Sequence, residues 1–436
     1  MQQIIERVLA LAKHKCDAAE VIASSGETMP VEFRSGKLHA VEHKEIRGLG
    51  LRVIRNGRIG FSSTTDLARL GELVDHAVES AAFGQYARFA FPKSCSGSKV
   101  QVRDPRVERY TVDQAIREGG KALAALKQRT PELKCDVSFA KRLTTVSLAN
   151  SAGLYAGYDK TSFGYSISGL GVVDGSLLFV GDGRRGCGLQ VDTARMVAKI
   201  ATLLRHAKKT GKVANAKLPV LFAHDAMYLF WMALGMGVNG KMLQKKSSPL
   251  QGRIGEQLLD KRITVHDDPL QPLLSGSAPY DAEGVCTARL PLFDKGVFRS
   301  FVYDLQTAGI MNAQSTGAAQ RDFSTQPQPS TSNIVVAAGR HPFAEMVKSI
   351  ERGVLVYDLL GAGQSNLLAG DFSANIGLGF LIEKGRIVGR VKDAMVAGNV
   401  YDLLKNKVLA VSREVEDKGS QRTPAILFKD VSIAAK

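Results

Sequence analysis

The amino-acid sequence predicts an α+β protein with an N-terminal α/β region and a β-rich C-terminal domain. Three observations lead to this prediction. The chain has 436 residues, of which 44% are hydrophobic, which is enough for two or three domains of roughly 150 residues each. Amphipathic helical segments alternate with β-rich segments up to residue 217. Beyond that point, short β-rich runs punctuated by glycine dominate.

Shifts in composition divide the chain into four segments. We predict an N-terminal α/β subdomain over residues 1–88 and a Pro- and Ser-containing connector over 89–110. A middle α/β subdomain over 111–213 is predicted to pack with the first. Residues 214–436 are predicted to form a β sandwich or a barrel-like domain.

Periodicity and turn residues predict the first elements. The apolar pattern of residues 4–11 predicts a helix. The strand-like runs that follow are residues 19–23, 29–34, 48–54 and 58–62. Asn56-Gly57 lies between the last two runs and predicts a two-residue hairpin, because both central positions of that turn take positive φ. A helix is then predicted over residues 67–83.

The middle segment predicts a helix, a meander of strands and a second helix. The first helix is predicted from Val112 to about Lys127, and alternating residues at 137–180 predict an antiparallel meander. The second helix is predicted over about residues 192–208. The G-x-G-x-x-G of residues 181–186 precedes that helix by too many residues for a nucleotide loop, so we interpret it as a glycine-rich turn.

The C-terminal segment opens with one apolar helix, predicted over residues 226–238. Short β-rich runs follow, at residues 262–266, 285–290, 333–338, 354–359, 379–383 and 425–428. Their close spacing favours a sandwich or barrel over parallel β-α-β units.

Charge and apolar content limit the classes of partner. The formal charge is +16, and residues 1–217 carry 34 Lys and Arg against 21 Asp and Glu. Such a surplus could attract nucleic acid or anionic peptides, but we interpret it as solvated surface, so that any nucleic-acid binding would be non-specific. The longest apolar run, residues 227–238, is too short to span a membrane, and the N-terminus does not resemble a secretory signal. We therefore expect a cytoplasmic protein.

Few residues have the spacing of a metal or catalytic site. Five scattered cysteines without a C-x-x-C pair are interpreted as free thiols in a reducing compartment. His39 and His43 are four residues apart, but on a strand their Cα atoms would be about 13 Å apart, so we interpret them as solvated. The weak candidates for binding a hard cation are the carboxylates of Asp267, Asp268, Asp281 and Glu283. Aspartates beside Pro and Gly also cap turns.

Short segments along the whole chain resemble a known family. They are GLGLRV at 48–53, GRIGFSST at 57–64, DDP at 267–269, DAEGV at 281–285, STG at 315–317, GVLV at 353–356, GAGQSN at 361–366, GDFS at 370–373 and AGN at 397–399. Their order resembles the TldD/PmbA family, whose second member is also called TldE and whose members were once named modulators of DNA gyrase. The resemblance implies an N-terminal α/β region, a β-rich C-terminal domain and a cytosolic peptidase system.

The resemblance also implies where a zinc site would lie. TldD-type members carry His-Glu-x-x-x-His on a helix and a later cysteine as third ligand. In this chain Trp231 and Met236 stand where the histidines belong, and Met232 stands where the glutamate belongs. Trp donates only an N–H and Met is a weak, soft ligand, so no zinc or other cofactor is expected in this chain. We expect these three side chains to lie together near a cleft as a degenerate zinc site.

Three functions follow from these observations. The first is a PmbA/TldE-like subunit, without catalytic activity of its own, in a system that matures or degrades unfolded peptides. It would form a homodimer, or a heterodimer with a TldD-type zinc peptidase. The second is a basic modulator that associates with nucleic acid or DNA gyrase. The third is a hydrolase that uses the carboxylates named above.

Overall fold

The computed structural model describes residues 1–435 and contains helices spread along the chain. They are α1 (Gln2–Ala12), α2 (Leu70–Ser80), α3 (Pro105–Arg109), α4 (Val112–Arg129), α5 (Thr193–Ala207), α6 (Tyr228–Gly237), α7 (Gly240–Gln244), α8 (Leu305–Ile310), α9 (Phe343–Lys348) and α10 (Val400–Asn406). Short 3-10 helices cover Ala81–Phe83, His224–Met227 and Ala362–Gln364. Among residues 1–435, no helix has both the length and the apolar character needed to cross a membrane.

The first seven strands form one antiparallel sheet. They are β1 (Ala18–Arg34), β2 (Lys37–Val41), β3 (Lys44–Arg55), β4 (Arg58–Thr64), β5 (Lys134–Asn150), β6 (Tyr155–Val173) and β7 (Ser176–Gly186). Their order is β4-β3-β1-β5-β6-β7, and β2 pairs with the end of β1. Because β5 pairs with β1 along its length, the predicted segments 1–88 and 111–213 contribute to a single sheet. The predicted turn joins β3 to β4, with φ of 50° at Asn56 and 71° at Gly57.

Helices cover one face of this sheet. Apolar residues of α1 and α2 pack on β1 and β3, and those of α4 and α5 pack on β5 and β6. The alternation of strand side chains leaves the other face free to meet the C-terminal domain. The cavity described below lies where the two meet.

The remaining strands build the C-terminal domain. They are β8 (Thr210–Gly211), β9 (Ala216–Phe222), β10 (Val265–Asp267), β11 (Leu290–Asp294), β12 (Val297–Phe298), β13 (Ala319–Gln320), β14 (Gln328–Pro329), β15 (Ile334–Val336), β16 (Arg352–Leu360), β17 (Asp371–Glu383), β18 (Arg386–Val391), β19 (Ala394–Asn399), β20 (Val408–Lys418) and β21 (Gln421–Ala435). Strands β9, β16, β17, β19 and β21 pair in a closed ring. The prediction of an α+β fold with a barrel-like C-terminal domain is therefore confirmed.

Helix α6 lies in the core of this domain. Phe230 stacks on Phe428 of β21 with 5.1 Å between the ring centroids. It also meets Phe222 of β9 edge-on at 4.9 Å. The helix is apolar nearly all round because barrel strands pack against most of its surface.

Three predictions of local structure are wrong. The strand-like run at residues 285–290 contributes only Leu290 to a strand. Residues 24–28 belong to the unbroken strand β1, because pairing with both β3 and β5 overrides their polar, glycine-containing sequence. The G-x-G-x-x-G of residues 181–186 lies within strand β7 and is not a turn. Its glycines pair with β6, so they form no phosphate-binding loop.

The cysteine prediction is partly wrong. Cys95 and Cys286 form a disulfide with 5.8 Å between their Cα atoms, while Cys16, Cys135 and Cys187 are free thiols. The two cysteines meet because the connector folds back onto the C-terminal domain, and sequence spacing over 191 residues does not reveal such a contact. Because disulfides persist in oxidising compartments, this pair does not support the predicted reducing compartment.

Candidate functional site

Helix α6 carries the three positions that the resemblance assigns to a zinc site. Trp231 is fully buried, and its Nε1 donates a hydrogen bond to Thr423 Oγ1 at 2.7 Å. Met232 and Met236 are each 37% exposed and lie one turn apart. All three positions lie within the helix, which continues to Gly237, and on a regular helix residues 231 and 236 point about 140° apart, so the three side chains do not point at one centre. The two methionines lie together, and Trp231 points away from them.

These residues do not fit a zinc ion. A zinc site needs about four N, S or O donors in tetrahedral arrangement. The only nitrogen here, Trp231 Nε1, is a donor already bound to Thr423, and a thioether is a poor zinc ligand. Among residues 1–435, no group of three or more His, Cys, Asp and Glu is placed to hold a metal ion.

Asp267 and Asp268 stabilise the backbone of their own region. Asp267 is buried, and its Oδ1 accepts hydrogen bonds from the N–H groups of Ser332 at 2.7 Å and Asn333 at 3.0 Å. Burial raises the pKa of Asp267 to about 7. Asp268 Oδ1 accepts the N–H of Leu270 at 3.0 Å. Both carboxylates hold loops in place.

Asp281 has a similar role in a second loop. Its Oδ1 accepts two backbone N–H groups of its own loop at 2.9 Å, and its Oδ2 accepts that of Ala319 at 3.1 Å. Burial and the neighbouring Glu283 raise the pKa of Asp281 above its ordinary value. No hydrogen bond between residues 1–435 joins this loop to Asp267, and the four predicted carboxylates do not converge on one cation.

Replacing Asp267 with asparagine is expected to make stability less dependent on pH. Because the folded-state pKa of Asp267 is about 7 and an exposed aspartate has about 4, the folded chain keeps a proton that the unfolded chain has released. Stability therefore falls as pH rises through this window. Asparagine keeps the accepting Oδ1 and does not titrate. In urea unfolding, the free energy of unfolding should fall less between about pH 5 and about pH 8 in the variant than in the parent.

Asp281→Asn is the contrasting variant. Both Asp281 oxygens accept N–H groups, so an amide N–H would oppose a backbone donor and destabilise the protein at either pH. If the free energy of unfolding falls equally between the two pH values in Asp267→Asn and in the parent, Asp267 titrates in its ordinary range.

A buried cluster of four charged side chains joins the N-terminal sheet to the C-terminal domain. Glu20 and Arg52 come from β1 and β3, and Glu283 and Arg321 come from the C-terminal domain. Arg52 contacts Glu283 Oε1 at 2.6 Å and Glu20 Oε1 at 2.9 Å. Arg321 Nη2 donates to Glu20 Oε1 at 2.7 Å. All four side chains are at most 2% exposed.

Of these four residues, only Glu283 was a candidate from the sequence, and it was a candidate for binding a metal ion. Its partner Arg52 lies within the conspicuous GLGLRV segment, but nothing in the sequence pairs the two residues. Phe89 and Phe91 place their rings 4.7 and 5.2 Å from the Arg52 guanidinium carbon. Glu283 is therefore an ion-pair partner at the domain interface.

A cavity of about 340 Å³ lies next to this cluster, between the sheet and the C-terminal domain. The rings of Tyr158, Tyr280 and Phe323 form part of its wall. Lys160 and Arg321 also line it. This volume lies within the range of small-ligand sites.

Comparison with known proteins identifies the family. Residues 215–435 match the family described as "PmbA/TldA metallopeptidase C-terminal domain", and residues 19–81 match "PmbA/TldA metallopeptidase domain 1". Metalloprotease PmbA of Escherichia coli O157:H7 is 27% identical, with 100% of this chain and 96% of the relative covered.

Two solved structures share the fold. TldE from Thermococcus kodakarensis has a TM-score of 0.90 at 22% identity, over 99% of this chain and 100% of that one. A Thermotoga maritima protein, provisionally described as a modulator of a DNA gyrase, has a TM-score of 0.90 at 20% identity, over 99% and 100%. Likeness at this identity shows the fold alone, whereas the match over 215–435 spans half of the chain. This chain belongs to the PmbA/TldD family of metallopeptidase-type proteins.

Proposed function

We propose that this chain is a PmbA/TldE-type subunit that lacks a catalytic zinc of its own. The observation that carries the proposal is the set of side chains on α6. Trp231 is held in the core by Thr423, and Met232 and Met236 offer only thioethers. Without nitrogen or carboxylate ligands there is neither a metal to activate water nor a general base beside it.

The partner in this proposal is a TldD-type homologue that carries the His-Glu-x-x-x-His motif, or else a second copy of this chain. The substrate is an unfolded peptide. Support comes from the edge strand β7, which pairs with β6 alone within residues 1–435. Its exposed Leu177 and Phe179 offer apolar contacts to an extended chain that adds to the sheet.

The two alternatives have less support. The basic residues of α5 are partly neutralised within the protein, because Lys199 contacts Asp182 at 2.9 Å and Asp225 at 2.8 Å. This weakens the case for a nucleic-acid surface. The candidate hydrolytic carboxylates hold backbone N–H groups or Arg52, which leaves them poorly placed to activate water.

The test measures metal and proteolysis in the same sample. Purified protein should contain no stoichiometric zinc and should not cleave an unfolded peptide such as reduced, denatured casein, because α6 offers no ligand set. Cleavage should appear when a TldD-type homologue from the same genome is added. Elemental analysis and a chelator-controlled peptide assay provide the readouts.

A homologue whose motif glutamate is replaced by glutamine is the control, and its mixture with this chain should be inactive. About one zinc per chain, together with chelator-sensitive cleavage by this chain alone, would overturn the proposal.

A further inference from the structure

The disulfide between Cys95 and Cys286 joins the connector to the C-terminal domain across 191 positions of sequence. Cys95 lies in residues 87–104, a stretch that contains neither helix nor strand. Cys286 ends the loop that carries Glu283, and Glu283 contacts Arg52 of the N-terminal sheet. The cross-link therefore lies at the joint between the two domains.

Hydrogen bonds anchor the connector on both sides of the disulfide. Asn150 Nδ2 donates to the Pro92 carbonyl at 2.9 Å, and the Ser98 N–H donates to the Pro279 carbonyl at 2.8 Å. Between these two anchors, residues 93–97 make no hydrogen bond to another segment of the described chain. The disulfide is therefore the bond that ties this stretch to the C-terminal domain.

The loop that ends at Cys286 is held in place without the disulfide. Asp281 Oδ1 accepts the N–H groups of Glu283 and Val285 at 2.9 Å each, and the Asp281 N–H donates to the Val285 carbonyl at 2.8 Å. The ion pair of Glu283 with Arg52 adds a further contact. Opening the disulfide would therefore release the connector stretch and leave Cys286 where it is.

The bond is accessible from solvent. Cys286 is exposed, whereas Cys95 is half-buried against the apolar cluster around Tyr280. Thiol–disulfide exchange requires that an attacking thiolate reach one of the two sulfurs, and exposed disulfides are the labile ones. The free thiols of Cys135 and Cys187 differ, because burial raises their pKa and so opposes formation of the reactive thiolate.

Neither domain needs this cross-link to build its core. The buried apolar clusters of the N-terminal sheet and of the barrel contain neither Cys95 nor Cys286. Permanent disulfides mainly serve small secreted domains, which cannot bury enough apolar surface without them. In a chain with cores of this size, the cross-link constrains the connector.

We propose that Cys95 and Cys286 form a redox switch, which fastens residues 93–97 to the C-terminal domain when oxidised and releases them when reduced. The oxidant is a small-molecule disulfide. The Cys286 thiolate attacks one of its sulfurs and expels one small thiolate, and the Cys95 thiolate then attacks Cys286 Sγ and expels the second. The protein gives up two protons and two electrons, which the small-molecule disulfide takes up as two thiols. An excess of the small thiol reverses both steps.

A redox titration of the full chain at neutral pH, without denaturant, is the first test. The probes are glutathione disulfide and reduced glutathione, and free thiols are trapped with N-ethylmaleimide and located by peptide mass spectrometry. We expect the intramolecular disulfide in an excess of glutathione disulfide. In an excess of reduced glutathione we expect both Cys95 and Cys286 to be alkylated.

Limited digestion with trypsin measures release of the connector. Lys93 is exposed, and cleavage after it should be at least about tenfold faster in the reduced protein, because a released stretch can enter the protease. Lys245 and Lys246, which are exposed just after α7, give an internal reference that should not depend on redox state. Cys95→Ser should be cut after Lys93 at the fast rate in both buffers. Cys16→Ser removes a thiol outside the pair and should behave like the parent.

Four results would overturn the proposal. A disulfide that reduced glutathione cannot open would be a permanent cross-link, and its absence in glutathione disulfide would mean two independent thiols. Equal cleavage after Lys93 in the two states would show that the connector is not released. A parallel rise in cleavage at Lys245 and Lys246 would show that reduction loosens the whole protein.

Discussion

Replacing Arg52 with methionine is expected to lower the free energy of unfolding by about 3–5 kcal/mol. Methionine fills much of the space but leaves Glu283 buried without a cation, and Glu20 with Arg321 alone. A buried charge that loses its partner keeps the full penalty of desolvation. Urea unfolding at neutral pH, followed by circular dichroism, measures the change.

Arg55→Met is the matched control for this variant. Arg55 ends the same strand and is exposed, so its replacement should change stability by no more than about 0.5 kcal/mol. Adding Glu283→Met to Arg52→Met should recover part of the loss, because the second change removes the carboxylate left without its cation. A loss below about 1 kcal/mol for Arg52→Met alone would contradict a desolvated ion cluster.

Trp231→Ala is expected to destabilise the protein by about 3–5 kcal/mol. The indole is fully buried in the C-terminal core, so its removal leaves a large cavity and deprives Thr423 Oγ1 of a donor. Thermal and urea unfolding give the change. Met232→Ala, on the exposed side of the same helix, should lose less than about 1 kcal/mol. Similar losses for the two variants would contradict the orientation of α6.

The same orientation determines the outcome of an attempt to rebuild a zinc site. Trp231→His combined with Met232→Glu and Met236→His should not give zinc-dependent peptide cleavage. The imidazole at position 231 would lie in the core, away from the side chain at 236, and no third ligand is available. Zinc-dependent cleavage by this triple variant would show that the helix can rotate into a competent site.

Elements with local signals could be predicted from the sequence. Asn56 and Gly57 take positive φ in the predicted turn, and the helix predicted from Val112 begins at that residue in the structure. The apolar periodicity of α1 likewise gives its position to within a few residues. Such signals arise from contacts between residues that are close in the sequence, so they can be recognised in short segments.

The candidate site depends on contacts between distant residues. Glu20 and Arg321 are 301 positions apart, and the sequence has no local signal that pairs them. Trp231 fits an apolar helix in any rotation, so which side chains point into the core could not be predicted from a segment that is apolar nearly all round. The cavity could not be predicted either, because its walls come from strands and loops of different domains.

The position of β21 in the barrel has a consequence for synthesis on the ribosome. This strand closes the ring by pairing with both β9 and β19, yet it is made roughly 200 residues after β9, an interval of about 10–40 s at ordinary translation rates. During that interval β9 has no β21 beside it, whereas the N-terminal sheet has all its strands once residue 186 has emerged. The nascent chain therefore holds a finished N-terminal sheet next to an open, apolar barrel. At this stage it exposes the most apolar surface to a chaperone.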